Sequence, residues 1–365
     1  MYCDVDGGYA WTEVDGMWGC HCVGDCCDRT ICKAFGDPHF FIPDKTSHKF
    51  QGPCTYTFAK DCVGNDFTVE TKHEPSDSNP SVSVVDAVYV IITIDAVEWT
   101  ICILQGKVVW VNGVTRTLPL SLAGGQIDVK LTGRYVRVEL VDLCVVILYD
   151  GLHQVKVEIP RNYQNRLCGL CGNFNGDNTD DYRLPDGTVT DLNTFGNSWQ
   201  TDAPCDWDPP TGDPPNLGPC DPQYAGPCDV LTDLNGPFAD CHGYVDPTPY
   251  RDACVFDMCS TEGEWLCCDL ETYYDACMDV DVEPFIWRST DLCPMDCPAN
   301  SVYSPCVSPC HATCVDPNGP DNCDLPCVEG CECDEGYLES GLECVEETQC
   351  GCIDVYENYY TIGEQ

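Results

Sequence analysis

Oxygen-bearing side chains alternate in the segment that follows Cys171. They are Asn173, Asn175 and Asp177, followed by Asp180 and Asp181. Ca²⁺ takes about six to eight oxygen ligands, and a glycine-containing loop of this kind can curl around one ion. The spacing is not that of an EF-hand, because Gly176 stands at the fourth position and Leu184 at the twelfth. From the residues alone, a calcium loop and a solvated acidic turn both remain open.

The dipeptide Asp37-Pro38 offers a second kind of chemistry. An aspartate carboxyl group can attack its own main-chain carbonyl carbon while the proline nitrogen leaves, which makes Asp-Pro an acid-labile bond. An intact strand start and a site of self-cleavage are both open interpretations. No Ser/His/Asp arrangement or phosphate-cradling glycine loop stands out in the sequence, so we predict that the protein is not an enzyme.

Cys168-Gly-Leu-Cys171 has the spacing of a thioredoxin-type redox pair. A redox cysteine needs a lowered thiol pKa, commonly at a helix N-terminus, whereas the flanking sequence predicts a loop leaving a strand. A zinc finger would need a second closely spaced pair, and none lies nearby. We therefore favour a structural disulfide role for Cys168 and Cys171.

Composition points to a secreted, extracellular protein. The 365 residues include 33 cysteines, which indicates a disulfide scaffold and an oxidising compartment. The net charge of −44 makes nucleic acid and anionic membranes poor partners. This acidity serves either solubility alone or a material packed with calcium or acid. No run reaches the ~18 apolar residues that cross a bilayer, so we expect no membrane insertion in this segment. We see no signal peptide and expect a mature fragment.

The elements that must position these residues are predicted to be short β-strands. Residues 82–95 and 99–104 are rich in β-branched side chains, and residues 129–140 alternate with period two. Two hairpins turn at Asn112-Gly113 and Asp150-Gly151. Strands without intervening helices predict an antiparallel β-sandwich. The fold class is therefore mainly β, with small disulfide-rich helical and loop-rich modules besides the sandwich.

Cysteine density divides the chain into modules. Helical spacing is confined to residues 250–258 and 270–278 in a block with nine cysteines, and ten further cysteines crowd residues 297–350. The predicted order is the end of a preceding cysteine-rich extension (1–31), the sandwich (32–205), a Pro/Gly/Asp linker (206–219), a helical cysteine-rich module (220–293), a loop-rich module (294–351) and the start of a next, truncated extension (352–365).

Two signatures flank the sandwich. The first is Gly36-Asp37-Pro38-His39-Phe40, and the second runs from Cys168 to Asp181 and ends in Phe195-Gly-Asn-Ser-Trp199. Together they resemble the opening and closing motifs of a von Willebrand factor type D domain. The block at 220–293 resembles the eight-cysteine module that follows such domains, and residues 294–351 resemble a trypsin-inhibitor-like module. This order of modules is found in gel-forming mucins, von Willebrand factor, zonadhesin and IgG-Fc-binding-protein-like proteins.

The resemblance implies a calcium site, since type D domains bind Ca²⁺ with the loop after the second signature. It adds one aspartate from the segment after the Gly-Asp-Pro-His box, which falls on Asp44. This chain departs from the usual Phe-Asp-Gly there and has Pro43-Asp44-Lys45. The implied ligands are Asp44, Asn173, Asn175, Asp177, Asp180 and Asp181. Some relatives with the same box cleave themselves at the Asp-Pro bond, whereas many remain intact.

One cysteine exceeds the expected pattern. The sandwich and the loop-rich module hold even numbers, whereas the module named for eight cysteines holds nine. Aligned on Leu266-Cys267-x-x-Leu270-x-x-Tyr273, the family pattern accounts for Cys267 and leaves Cys268. We predict an intermolecular disulfide at Cys268. Pairing within the chain, for example with the N-terminal segment, is the alternative.

These features predict a structural calcium-binding repeat unit of a secreted, disulfide-linked adhesive, mucus-like or matrix protein. Its expected partners are further copies, through the assemblies and intermolecular disulfides, and other extracellular proteins. A ligand-binding ectodomain of a cell- or gamete-adhesion protein is the alternative. Protease inhibition is a third, weaker one, because the candidate loop Cys323-Asp-Leu-Pro-Cys327 has no basic residue.

Overall fold

The computed structural model describes residues 9–14, 17–22, 26, 28–205, 220–280, 282–323, 325–354 and 358–363. The expected linker at 206–219 lies outside the described residues. Two large antiparallel sheets dominate the rest, together with small helices and two-stranded sheets. This confirms the predicted mainly β fold. Among the described helices, none is long and apolar enough to span a membrane.

Strands β1 to β17 occupy the N-terminal half of the chain. Their bounds are β1 Tyr9–Val14, β2 Met17–Cys22, β3 Arg29–Phe35, β4 His39–Phe41, β5 Ser47–Lys49, β6 Thr55–Asp61, β7 Thr68–Pro75, β8 Ser83–Ile94, β9 Val97–Leu104, β10 Val109–Val111, β11 Val114–Arg116, β12 Leu120–Leu122, β13 Ile127–Thr132, β14 Tyr135–Leu140, β15 Val145–Tyr149, β16 Val155–Pro160 and β17 Leu167–Cys168.

Strands β3 to β17 form the predicted sandwich, and β1 pairs with β2 in a separate sheet. One sheet has the order β11-β10-β9-β8-β7-β6-β17 and the other β12-β13-β14-β15-β16-β3-β4-β5. Side chains alternate between the two faces of a strand, so Val88 and Val90 of one sheet meet Ile147 and Val157 of the other in a shared core. Strand β15 is buried throughout. Its outer face, at Val146, packs in a second small cluster.

The sandwich differs from expectation in one segment. Residues 129–140 do not form a single strand, because the chain turns between β13 and β14, which pair with each other. Gly133 has a φ of +57°, and a Cβ there would lie 2.3 Å from the carbonyl oxygen of Glu329. Only glycine fits this turn, which presses the β13–β14 hairpin against the C-terminal module, residues 297–350.

The helical module, residues 220–293, contains the two predicted helices. Helix α1 (Leu192–Ser198) ends the sandwich, and the module itself has α2 (Pro222–Ala225), α3 (Thr248–Ser260) and α4 (Leu266–Met278). Helices α3 and α4 enclose the regions 250–258 and 270–278, which confirms both predictions. Buried aromatic side chains and four disulfides form its core. The disulfides are Cys220–Cys259, Cys228–Cys254, Cys241–Cys277 and Cys267–Cys293.

The C-terminal module is built from short hairpins and crosslinks. Its strands are β18 (Ser301–Val307), β19 (Val328–Cys333), β20 (Tyr337–Ser340) and β21 (Glu343–Glu346), followed by β22 (Cys352–Ile353) and β23 (Tyr359–Tyr360). Its disulfides are Cys297–Cys331, Cys306–Cys327, Cys310–Cys323, Cys314–Cys350 and Cys333–Cys344. So many crosslinks in so few residues replace the hydrophobic core that a module of this size cannot build.

The cysteines of the sandwich do not all pair among themselves, although their even number suggested it. Cys144 pairs with Cys26, outside residues 32–205, and Cys102 is free. Cys102 lies on β9 opposite Tyr89 and Trp110, on the face away from the core residues Ile101 and Ile103. Burial raises the pKa of its thiol to about 11.

Candidate metal centre

The oxygen-rich loop begins where β17 ends. Cys171 is fixed by a disulfide to Cys32 of the opposite sheet, and Cys168 by one to Cys62. The two cysteines therefore pair with different partners, and the redox-pair interpretation of Cys168-Gly-Leu-Cys171 is wrong. Gly172 follows with a φ of +71°, and a Cβ there would lie 2.5 Å from Oδ1 of Asp181. Glycine is therefore required for the loop to close on Asp181.

Asp44 reaches this loop from the turn between β4 and β5. Its Oδ2 accepts a hydrogen bond from the Asn175 amide at 2.9 Å, and its Oδ1 accepts one from the Gly176 amide at 2.8 Å. Lys45 has a φ of +63°, in the left-handed region that glycine adopts most readily. This explains how a glycine could stand at that position in related sequences.

Amide and carboxylate side chains of the loop turn toward one another. Asn173 Nδ2 donates to Asp180 Oδ1 at 2.8 Å, and Asn175 Nδ2 donates to the same oxygen at 2.9 Å. Arg183 donates to the other oxygen of Asp180. The Asp180 side chain thus lies at the centre of the loop, and its pKa is lowered chiefly by the Asn173 hydrogen bond.

Asp181 is the buried acid of the group and Asp177 the outlying one. Asp181 is 2% exposed, and burial together with the nearby Asp44 raises its pKa to about 6. Asp177 instead accepts hydrogen bonds from the amide and hydroxyl of Thr179, at 3.0 and 2.6 Å. Within the described part of the chain, its carboxylate forms no hydrogen bond with the other five candidate side chains.

This donor set fits a hard cation. All six candidates offer oxygen, and two carboxylates, those of Asp44 and Asp181, face each other with one of them buried. Two carboxylates in such proximity repel, and a divalent cation would remove the repulsion. A soft-metal site would need sulfur or imidazole ligands, which the loop lacks.

The Gly-Asp-Pro-His box lies against the helical module rather than in solvent. Asp37 and His39 are buried beside Asp257 of α3, and Asp269 of α4 is buried within hydrogen-bonding reach of Asp257. We call these four residues the aspartate junction. His39 Nε2 lies 2.5 Å from Asp257 Oδ1 and 3.4 Å from Asp37 Oδ1. Sequence reasoning found Asp37 but not its two aspartate partners.

A second buried charge cluster joins all three modules, and we call it the arginine junction. Arg134 of the β13–β14 turn donates to Glu271 at 3.0 Å and to Asp275, both on α4. Arg288 donates to Glu271 at 2.5 Å and to Glu329 of β19 at 2.9 Å. Glu271 therefore receives one arginine from the sandwich and one from its own module. No motif in the sequence marked this cluster.

Three cysteines have no disulfide partner among the described residues. They are Cys102, which is buried, Cys268, which is partly exposed, and Cys352, which is exposed. Cys268 neighbours Cys267, whose disulfide with Cys293 leaves Cys268 without a partner in the module. Burial, Glu271 and Asp150 raise the pKa of the Cys268 thiol well above its usual value.

The ends of the candidate inhibitor loop are fixed by disulfides, from Cys323 to Cys310 and from Cys327 to Cys306. Leu325 is exposed between them. Asp324 lies outside the described residues. The loop therefore presents an apolar side chain, which gives no positive group to a trypsin-like pocket.

Comparison with protein families accounts for this arrangement of modules. The family model of the von Willebrand factor type D domain matches residues 32–188, that of the C8 domain matches residues 227–294, and that of the trypsin-inhibitor-like cysteine-rich domain matches residues 297–350. The chain is a von Willebrand factor type D assembly. The sandwich is thus its type D domain, the helical module its C8 domain and the C-terminal module its trypsin-inhibitor-like domain.

Curated relatives match nearly the whole chain. Zonadhesin of Sus scrofa is 36% identical over 96% of the chain, and IgGFc-binding protein of Homo sapiens is 37% identical over 91%. Alpha-tectorin of Homo sapiens is 34% identical over 92%. The chain spans 14%, 6% and 16% of the length of these three relatives. None of the three names is that of an enzyme.

Proposed function

We propose that this assembly is a calcium-binding structural repeat unit of a secreted, disulfide-linked adhesive, mucus-like or matrix protein. The relatives support an adhesive extracellular role, because zonadhesin and alpha-tectorin are adhesion proteins with type D domains. The observation that carries calcium binding is the contact of Asp44 with the loop amides across 131 residues of sequence.

The proposed ion would tie the two sheets of the type D domain together. Asp44 belongs to the turn between β4 and β5 of one sheet, whereas the loop follows β17 of the other. The ion would draw oxygens from Asn173, Asn175, Asp180 and Asp181 and would offset the repulsion between Asp44 and Asp181. Asp177 would have to rotate away from Thr179 to join them.

Calcium titration by calorimetry tests this proposal. We expect the parent protein to bind one Ca²⁺ in the loop and Asp44→Asn to bind it at least about tenfold more weakly, or 1.4 kcal/mol. Asp186→Asn is the matched control, because Asp186 is an exposed acid in the next turn that only caps Thr188. Equal calcium affinity in the parent and in Asp44→Asn would refute the assigned site.

Copies of the chain would be joined covalently through Cys268. Because burial raises the pKa of the Cys268 thiol, a thiolate is scarce in the closed C8 domain. A non-reducing gel of native material and of Cys268→Ser tests this proposal, and an unchanged band pattern would contradict it.

The alternative function is that of a ligand-binding ectodomain. The similarity to IgGFc-binding protein favours binding of another extracellular protein. Surface plasmon resonance with immobilised Fc fragment tests that version directly. Saturable binding by the monomer would support it, and absence of binding at micromolar concentrations would favour the structural unit.

Self-cleavage at Asp37-Pro38 is a separate proposal, supported by the contacts of Asp37. Gln51 Nε2 donates to the Asp37 main-chain carbonyl at 3.0 Å, which polarises the bond to be attacked, and Ser260 donates to Oδ2 of the side chain at 3.0 Å. The side-chain carboxylate would attack that carbonyl carbon, and the Pro38 nitrogen would leave after gaining a proton. Water would then open the resulting anhydride.

Mass spectrometry of the reduced protein after incubation at pH 5 tests this step. Two fragments that meet at Asp37-Pro38 are expected from the parent and none from Asp37→Asn. Only intact chain in both samples would overturn the proposal.

A further inference from the structure

With its three carboxyl groups ionised, the aspartate junction would hold more negative charge than its surroundings offset. Asp37 and Asp257 are fully buried, and Asp269 is 1% exposed. No hydrogen-bond donor reaches Oδ1 of Asp37, Oδ2 of Asp257 or either carboxylate oxygen of Asp269. Buried carboxylates without donors are costly and need an explanation in a folded protein.

Lys49 is a nearby cation whose charge interacts with all three carboxylates. It forms no ion pair within 4.0 Å with any of them among the described contacts, and its Nζ instead lies 3.5 Å from the ring centroid of Phe256. Three carboxylates and one lysine leave a formal charge of −2. A divalent cation would bring the cluster to neutrality.

The ligand atoms already converge. One ligand atom each from Asp37, His39 and Asp257 lies within 4.8 Å of the other two. Tetrahedral Zn²⁺ with bonds of about 2.0 Å separates its ligands by about 3.3 Å. The distance of 3.4 Å between His39 Nε2 and Asp37 Oδ1 matches this value. The distance between His39 Nε2 and Asp257 Oδ1 is 2.5 Å, and it would have to increase by about 0.8 Å for both atoms to bind the ion.

The backbone is shaped to permit this approach. Gly36 has a φ of +61°, and a Cβ there would lie 1.9 Å from Oδ2 of Asp257. Glycine therefore lets α3 bring its aspartate against the box. Asp269 of α4 lies beside Asp257 rather than among the converging ligand atoms, and neither of its oxygens has a hydrogen-bond donor.

We propose that His39 Nε2 and the carboxylates of Asp37 and Asp257 bind one Zn²⁺ ion that locks the C8 domain onto the type D domain. Imidazole with carboxylates is a ligand set that Zn²⁺ accepts. The site is independent of the proposed calcium loop, which contains only oxygen ligands. While it holds the ion, the Asp37 carboxylate cannot attack its own carbonyl carbon.

Zinc titration of the chelator-stripped full chain, with millimolar Ca²⁺ throughout, tests the site. We expect one tightly bound Zn²⁺ per chain by competition with a zinc dye and a higher thermal midpoint, because a ligand that binds only the native state stabilises it. Asp269→Asn should fold, since it removes an unpartnered buried charge, but should bind Zn²⁺ at least about tenfold more weakly. Asp257→Asn should behave in the same way.

Two controls separate this site from others. Asp252→Asn removes an exposed acid of the same helix and should leave Zn²⁺ binding unchanged. Asp44→Asn disables the proposed calcium loop and should also leave it unchanged, so failure of one proposal does not imply failure of the other. Equal Zn²⁺ affinity in the parent and in Asp257→Asn, or no uptake by the parent, would overturn the proposal and leave protons as the balancing charge.

Discussion

The aspartate junction and the arginine junction both bury carboxylates between the C8 domain and its neighbours, but they balance the charge differently. In the arginine junction, each of Glu271, Asp275 and Glu329 receives a guanidinium hydrogen bond. In the aspartate junction, four carboxylate oxygens have no donor. A buried ion pair is stable only when its partners are satisfied. The carboxylates of the first junction are therefore paired with cations of the chain, whereas those of the second need a proton or a cation from outside.

Removal of Arg288 should have the largest effect. Arg288→Met leaves Glu329 and one oxygen of Glu271 buried without their cation, which costs about 3–5 kcal/mol. Scanning calorimetry of the non-reduced protein should show a lower unfolding temperature. The control is Arg161→Met, because the pair of Arg161 with Asp28 is largely exposed and contributes about 0–1 kcal/mol. Similar shifts for both variants would remove the distinction between buried and exposed pairs.

At the aspartate junction, we expect a substitution to raise the stability of the protein rather than to lower it. In the presence of a chelator, Asp269→Asn removes a buried carboxylate that has no donor and should stabilise the protein by about 1–3 kcal/mol. The same calorimetric measurement applies, with the exposed Asp252→Asn as the neutral control. A destabilised Asp269→Asn would mean that the carboxylate has a partner that compensates its burial.

The arginine junction should also lose stability in acid, because it contains a carboxylate whose pKa is lowered in the folded state. Burial alone would raise the pKa of Asp275, but Arg134, Tyr135 and Lys156 outweigh it and lower the pKa. A lowered folded-state pKa adds stability above the unfolded value near 4, and this stability is lost as pH falls through the folded pKa. Asp275→Asn should therefore lose less stability than the parent as the pH falls from 5.5 to 3. Identical acid unfolding curves would contradict this assignment.

The smallest expected effect is a difference in the rates at which single cysteine thiols are alkylated. Cys268 adjoins the arginine junction, and burial raises the pKa of its thiol, whereas Cys352 is exposed. At pH 7.5 the monomer should be alkylated at Cys352 at least about tenfold faster than at Cys268. Arg288→Met should narrow that ratio by opening the junction. Peptide mass spectrometry measures both rates, and equal rates in the parent would show that Cys268 is not protected.

The local elements of the molecule could be predicted from the sequence. Strands and helices follow from local periodicity, so the sandwich and the two helices α3 and α4 were predicted. The turn at Gly133 was missed because β13 and β14 share one alternating pattern across it. Its glycine is explained only by the close approach of Glu329.

Pairings between distant residues could not be derived in this way. Cys168 and Cys171 are close in sequence but form disulfides with different partners, Cys62 and Cys32. Asp257 meets His39 across 218 residues, and no local pattern in either segment indicates the other. Asp44 was assigned to the loop from family resemblance, and the structure places it there by two hydrogen bonds that periodicity does not predict.

We propose that this chain is a calcium-binding unit of a disulfide-linked polymer. The most direct test is the mass and hydrodynamic radius of the non-reduced protein by light scattering, with calcium and with chelator. We predict covalent multiples of the 40.3 kDa chain that expand when calcium is removed, because the acidic surface then repels itself. A 40.3 kDa monomer whose radius does not respond to chelator would contradict the claim.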